Sequence, residues 1–259
     1  GYKFDAILHT AAQASHDYSK IDPRTDFTCN AVGTFNLLEL TRLHCPDATF
    51  VYISSDKVYG ENMKRDLEET ETRWDSDLRF DESVSLDRAM RTPFGCSKLA
   101  GDLYVQEYGL CYGMKTVCFR CGCITGSAHE GAELHGFLAY LVKCIKEGKT
   151  YRIFGYKGKQ VRDQIHAYDL VNACYHFIQN PKIAEVYNMG GEGGRSVSIL
   201  EAINMIESRL NKKAKTEYID EPRQGDRAWD VHDTKKFRND YPDWQYEYSL
   251  ERIMDDLTK

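Results

Sequence analysis

The chain has 259 residues, with 34 Lys and Arg against 40 Asp and Glu, for a formal charge of −6. An acidic balance without a basic run argues against a protein that grips nucleic acid through phosphate contacts. No apolar stretch reaches the roughly 20 residues of a membrane-spanning helix, while 42% apolar and 12% aromatic residues suit a folded chain with a sizeable core.

Asp5-Ala-Ile-Leu-His9 is a short apolar run that predicts a buried parallel strand. A polar loop from Gln13 to Asp26 follows, and then a helix from Asn30, with Phe35, Leu37, Leu38 and Leu40 at amphipathic spacing. Thr49-Phe-Val-Tyr-Ile-Ser54 reads as the next strand, and a long polar segment, Glu61 to Arg91, leads to a helix over Phe94–Tyr112. Thr116 to Phe119 is a third strand. Strands and helices alternating at this spacing imply right-handed crossovers and a doubly wound parallel α/β sheet of Rossmann type. Beyond residue 121 the rhythm changes: a helix from Leu134 to Lys143, a Gly/Lys loop over Tyr151–Lys159, a helix over His166–Phe177 and a strand over Glu185–Met189. Ser198-Ile-Leu-Glu201 is a capping box opening a helix that runs to Leu210.

Nine cysteines are scattered without a disulfide framework, which suits reduced thiols in a cytoplasmic protein. Cys118-Phe-Arg-Cys121 has the spacing of a metal or redox pair. On a strand, however, residues three apart point to opposite faces, and no second ligand pair exists, so no metal is expected. Gly190-Gly-Glu-Gly-Gly194 does not fit G-x-G-x-x-G and reads as a turn.

Four stretches occur in register: His9-Thr-Ala-Ala12, Ser54-Ser-Asp-Lys-Val-Tyr-Gly60, Phe94-Gly-Cys-Ser-Lys98 and Val161-Arg-Asp-Gln-Ile-His-Ala-Tyr-Asp-Leu170. With them the chain resembles the extended short-chain dehydrogenase/reductases that act on nucleotide sugars. Glu133-Leu-His-Gly-Phe-Leu-Ala-Tyr-Leu141 and Gly155-Tyr-Lys-Gly-Lys-Gln-Val-Arg-Asp163 resemble the branch of CDP-tyvelose/CDP-paratose 2-epimerases. The resemblance implies NAD as cofactor, with Ala11, Ala12, Asn30, Lys98 and Cys121 on the cofactor side. Ala11 and Ala12 let the backbone approach a flat ring, although small residues at a strand end also pack simply. Asn30 is either an N-cap or a support for the active-site backbone. Ser55, at a strand C-terminus where open sheets bind ligands, would bond the reacting sugar oxygen.

Lys98 would bind the nicotinamide ribose and lower the pKa of a tyrosine four residues earlier, the usual proton acceptor. That position holds Phe94, which cannot titrate, and none of the 17 tyrosines has a lysine four residues on. Asp56, Lys57, His135 and Lys98 itself are candidate substitutes, with Lys98 and Ser55 ranked first. Cys123 stands where the family has a substrate-binding asparagine. Arg162 and Arg223 would hold the nucleotide diphosphate as bidentate cations, with Asp226 beside them; the alternative is Arg–Asp pairs bracing loops. His135 would come from the substrate side.

The resemblance divides the chain into a nucleotide-binding domain, 1–121 and about 162–182, and a smaller α/β substrate lobe, 122–161 and 183–259. It also implies a strand and glycine-rich phosphate turn ahead of Asp5, so this polypeptide by itself is expected to bind NAD weakly. The function expected is epimerisation of a nucleotide sugar at C2 through a transient ketone, by a homodimer. A dehydratase or reductase on the same scaffold and a non-catalytic nucleotide-sugar binder are the alternatives. Asp56-Lys57 after Ser55, instead of an acidic pair, disfavours dehydration.

Overall fold

The computed structural model describes residues 3–62, 66–133 and 135–259. Strands β1 (Ala6–His9), β2 (Thr49–Ser55) and β3 (Thr116–Cys121) lie side by side in parallel register. Between them run helices α1 (Gly33–His44) and α2 (Thr92–Tyr112). Alternation along β2 sends Phe50 and Tyr52 to one face, where they pack with Leu38 of α1 and Val105 of α2. Val51 and Ile53 face the other way, toward helix α4 (Ala167–Gln179) through Leu170, Ala173 and Phe177. Both faces are therefore covered, and the sheet is doubly wound as expected. Cys118 belongs to the first face and Cys121 to the second.

Strand β4 (Cys123–Thr125) leads to helix α3 (Phe137–Glu147); Leu134, where that helix was expected to begin, lies outside the described residues. The segment expected as a Gly/Lys loop instead contains strand β5 (Thr150–Phe154), followed by a short 3-10 turn over Tyr156–Gly158. Tyr151 and Ile153 point into the lobe core while Thr150 and Arg152 face solvent, a two-residue period too short to stand out between Gly148 and Gly155. Strand β6 (Val161–His166) precedes α4, whose N-cap is His166: its Nδ1 accepts from the Tyr168 amide at 3.1 Å.

Strand β7 (Glu185–Met189) pairs with β3 and completes the order β1-β2-β3-β7. This moves the expected lobe boundary. Residues 185–189 belong to the large sheet, with Phe237, Tyr241 and Trp244 packed beneath it. Conversely β6, expected with the large domain, pairs with β4, with β8 (Ser196–Ser198) and with β10 (Trp229–Asp230) in a second sheet. Strand β9 (Lys215–Ile219) pairs with β5, 65 residues away in register.

The smaller lobe has its own core of Leu138, Leu141, Ile153, Ile199, Ile206 and Met254, contributed by α3, β5, α5 (Ile199–Leu210) and α7 (Leu250–Thr258). Helix α6 (Lys235–Asp240) stays with the large sheet. The Ser198 capping box is complete: Ser198 Oγ accepts from the Glu201 amide at 3.1 Å, and Glu201 Oε2 accepts from the Ser198 amide at 2.9 Å.

Candidate active site

A cavity of about 590 Å³ opens where the C-terminal ends of β1, β2 and β3 meet the smaller lobe, the position at which doubly wound sheets bind ligands. Its wall contains Ala12, Ser55, Phe94 and Lys98, with Cys121 and Cys123 from the next strand end. His135, Arg162, Arg223 and Asp226 close the opposite side. Of the expected site residues, Ala11 and Asn30 stand outside the wall.

Asn30 is not an N-cap. It is buried inside a π-helical turn, Thr28–Val32, and binds the loop that follows β1. Its Oδ1 accepts from the Gln13 amide at 2.9 Å, and its Nδ2 donates to Gln13 O at 3.0 Å and Ser97 Oγ at 3.0 Å. One side chain thus ties the loop after β1 to α2, supporting the wall without lining it.

Lys98 is held by the same helix. Helix α2 approaches β2 closely enough that a Cβ at Gly101 would lie 2.7 Å from the Tyr52 hydroxyl oxygen. Beside it Asp102 accepts from Arg120 Nη2 at 2.7 Å and Nε at 3.1 Å and from Ser54 Oγ at 2.6 Å, all of them buried. This network clamps α2 to β2 and β3 one turn beyond Lys98. The ammonium donates to Ile53 O at 2.6 Å and lies 4.2 Å over the Tyr52 ring. Burial outweighs the pull of the nearby Cys121 and Asp102 and brings its pKa down to about 8.

Ser55 Oγ donates to Asp56 Oδ1 at 3.1 Å and accepts from the Lys57 amide at 3.2 Å. Phe94 is buried, and its amide donates to Ser19 Oγ at 3.1 Å. Burial pushes the Cys123 thiol up to about 12, so it stays protonated in place of the expected asparagine.

The two arginines differ. Arg162, expected on the diphosphate, pairs with Asp226, which is the alternative of an Arg–Asp brace. Arg162 also donates to Val161 O and Arg227 O, both at 2.6 Å, which leaves its guanidinium largely engaged by protein. Burial alone would raise the Asp226 pKa, but Arg162 and the cations beyond it hold it near 2. Arg223 is looser: it lies 3.7 Å from Asp17 and 3.9 Å from Asp226 and faces the cavity.

Asp230 and His232 line the wall but escaped the sequence reading. Asp163 binds His232 Nδ1 at 2.8 Å, and Arg227 bridges Asp56 and Asp230. Asp56, Asp230 and His232 bring potential ligand atoms within 4.8 Å of one another. The Arg227 guanidinium bridges both carboxylates, and with Lys57 3.9 and 3.8 Å from them their charge is already balanced, so the set is poorly suited to a divalent cation. The only trace in the sequence is the alternation of Trp229-Asp-Val-His232, a two-residue strand pattern. His16 also lines the wall, and only its place after the β1 motif hinted at that.

The NAD dependent epimerase/dehydratase family model matches residues 1–190. The CDP-paratose 2-epimerase of Salmonella typhi is 34% identical over 249 residues, 92% of this chain and 72% of that protein. A dTDP-glucose 4,6-dehydratase of Escherichia coli is 30% identical over 199 residues, 73% of this chain, and only 52% of its length is spanned. The crystal structure of UDP-glucose 4-epimerase with UDP-glucose from Thermotoga maritima is similar at a TM-score of 0.82 and 25% identity, covering 98% of this chain and 75% of that one. The chain therefore belongs to the NAD-dependent epimerase/dehydratase family.

Proposed function

We propose that this chain carries the nicotinamide and sugar side of a nucleotide-sugar epimerase acting at C2 of a CDP-linked sugar. The observation that carries the reading is the similarity to a CDP-paratose 2-epimerase along nearly the whole chain. The cavity supports it: a hydroxyl, a buried ammonium and a half-buried arginine line one space between the sheet and the smaller lobe.

The residues present fit the nicotinamide half of NAD. Ala12 offers a flat, uncrowded approach, and the buried Lys98 ammonium has donor capacity beyond its bond to Ile53 for ribose hydroxyls. When bound, NAD takes up and returns the two electrons and hydrogen of the sugar carbinol. Ser55 polarises the sugar oxygen, Lys98 orients the ribose and Arg223 holds the diphosphate. Arg162 and Asp226 position the strand ends behind it. Orientation and fixed charge are what this chain contributes. Exposed Leu103, Tyr104 and Leu110 on α2 support a homodimer through that helix.

Incubation with NAD and a panel of CDP- and UDP-sugars, followed by NMR of the sugar ring, tests the reading. Inversion at C2 of a CDP-sugar is the expected product. Phe94 favours the second reading, a nucleotide-sugar binder without turnover. That reading wins if NAD and nucleotide bind and no sugar changes.

A further inference from the structure

The proposed reaction needs a group to take the proton of the sugar hydroxyl as the carbinol is oxidised, and Phe94 cannot take it. Most titratable groups in the cavity wall are committed elsewhere. Burial keeps the Cys121 and Cys123 thiols and the Tyr151 phenol protonated. Asp56, Asp226 and Asp230 are paired with Arg227 and Arg162, and Asp163 with His232. Glu133 binds Arg152 at 2.6 Å. Lys98 spends one donor on Ile53 O and sits over Tyr52, as a ribose-binding cation should. His135 packs edge-on against His129, ring centroids 5.3 Å apart, in the small-lobe wall.

His16 stands on the sheet side of the cavity, just after β1, whereas His129 and His135 pair in the small-lobe wall. It lines the same cavity as Ser55, Lys57, Phe94 and Arg223. Its Nδ1 is buried without a hydrogen-bond partner, and its Nε2 is 3.9 Å from Asp17, beyond hydrogen-bond reach. With Nδ1 buried and carrying the ring hydrogen, Nε2 is the nitrogen whose lone pair a ligand in the cavity meets. The segment is also fixed against position 94: Ser19 Oγ donates to His16 O at 2.7 Å and accepts from the Phe94 amide at 3.1 Å.

We propose that His16 is the proton acceptor standing in for the absent phenol. This rests on the functional reading above. As the C2 hydroxyl of the sugar is oxidised, its O–H bond breaks and the proton passes to the imidazole. The C–H hydrogen leaves with its electron pair to the nicotinamide, so a C=O bond forms and NAD is reduced. Return of hydrogen to the opposite face oxidises the cofactor again, and His16 gives the proton back to the same oxygen.

The charges around His16 suit the task. Burial, with Lys57 and Arg223, holds its pKa down to about 4 against the opposing pull of Asp17 and Asp226. The imidazole is therefore neutral at neutral pH. A bound diphosphate would offset Lys57 and Arg223 and raise the proton affinity of the ring when substrate is present.

The test uses the full chain with NAD supplied and the sugar that the wild type turns over. His16→Gln should lower kcat by about 10²- to 10⁴-fold, the usual share of a general base, with KM changed less than about threefold. Adding Phe94→Tyr to it should recover turnover at least about tenfold, because the phenol regains its lysine partner at 98. Independently of turnover, carbethoxylation of wild-type His16 by diethyl pyrocarbonate, mapped by mass spectrometry, should be blocked by CDP-glucose. A His16→Gln variant with near-normal kcat and an unchanged pH profile overturns the inference and leaves the functional reading standing; so does modification that CDP-glucose does not block. Absence of turnover by the wild type on every nucleotide sugar overturns both.

Discussion

Replacing Lys98 by Met should make the protein more stable at neutral pH while removing its ribose-binding cation. Lys98 is 4% exposed, and burial lowers its pKa from 10.5 to about 8. That gap of roughly 2.5, at about 1.36 kcal/mol for each pH unit, corresponds to a cost of roughly 3 kcal/mol for keeping the charge folded. The unfolded chain holds this proton up to about pH 10.5 and the folded chain only to about pH 8. Between those values the unfolded state binds more protons, so wild-type stability from this group rises with pH. Methionine is flexible and of similar length, so it can fill the space over Tyr52 with little strain. Urea denaturation of both proteins at pH 7 and pH 10 isolates the effect, because other titrations are common to both. The variant should exceed wild type by about 1–3 kcal/mol at pH 7, and its advantage should shrink toward zero by pH 10. A variant less stable at pH 7, or an advantage that does not depend on pH, would refute the reasoning.

Asp102→Ala leaves Arg120 buried without its carboxylate and should cost about 3–5 kcal/mol in urea denaturation. Adding Arg120→Met should restore most of that loss; a single variant within 1 kcal/mol of wild type, on the order of the cost of one neutral hydrogen bond, would remove the clamp from the account of Lys98. Ser198→Ala deletes the capping box and the bond from Ser198 Oγ to Thr72 O at 2.7 Å. Chemical denaturation should show a loss of about 1–2 kcal/mol, and no measurable change would mean that the cap is replaced by water.

Much of the nucleotide-binding half was legible because its signals are local. Apolar runs at β1, β2 and β3, amphipathic spacing in α1 and the Ser198–Glu201 cap depend on neighbours within a few residues. Position also placed Ser55 and Lys98, since a strand end and a helix start point at the same crevice of a parallel sheet. Strand β5 was missed because its partner β9 lies 65 residues on, and the pairing, not the composition of Thr150–Phe154, makes it a strand. The same holds for β7, whose sequence gives a strand but not the sheet that it joins.

The residues themselves determined a doubly wound sheet, a phenylalanine where a proton acceptor was expected, and a serine and lysine at the strand and helix ends beside it. Only the tertiary structure decided which charges are already spent. Arg162 and Asp226 are 64 residues apart, and Arg227 and Asp56 are 171 apart, yet folding closes each pair beside the cavity. Burial and pairing set whether an arginine is free for a phosphate or an imidazole free for a proton, and both depend on chain segments brought together only by folding. Arg223 and His16 stand out for that reason, as a half-buried guanidinium held only by long ion pairs and a ring whose Nδ1 has no hydrogen-bond partner.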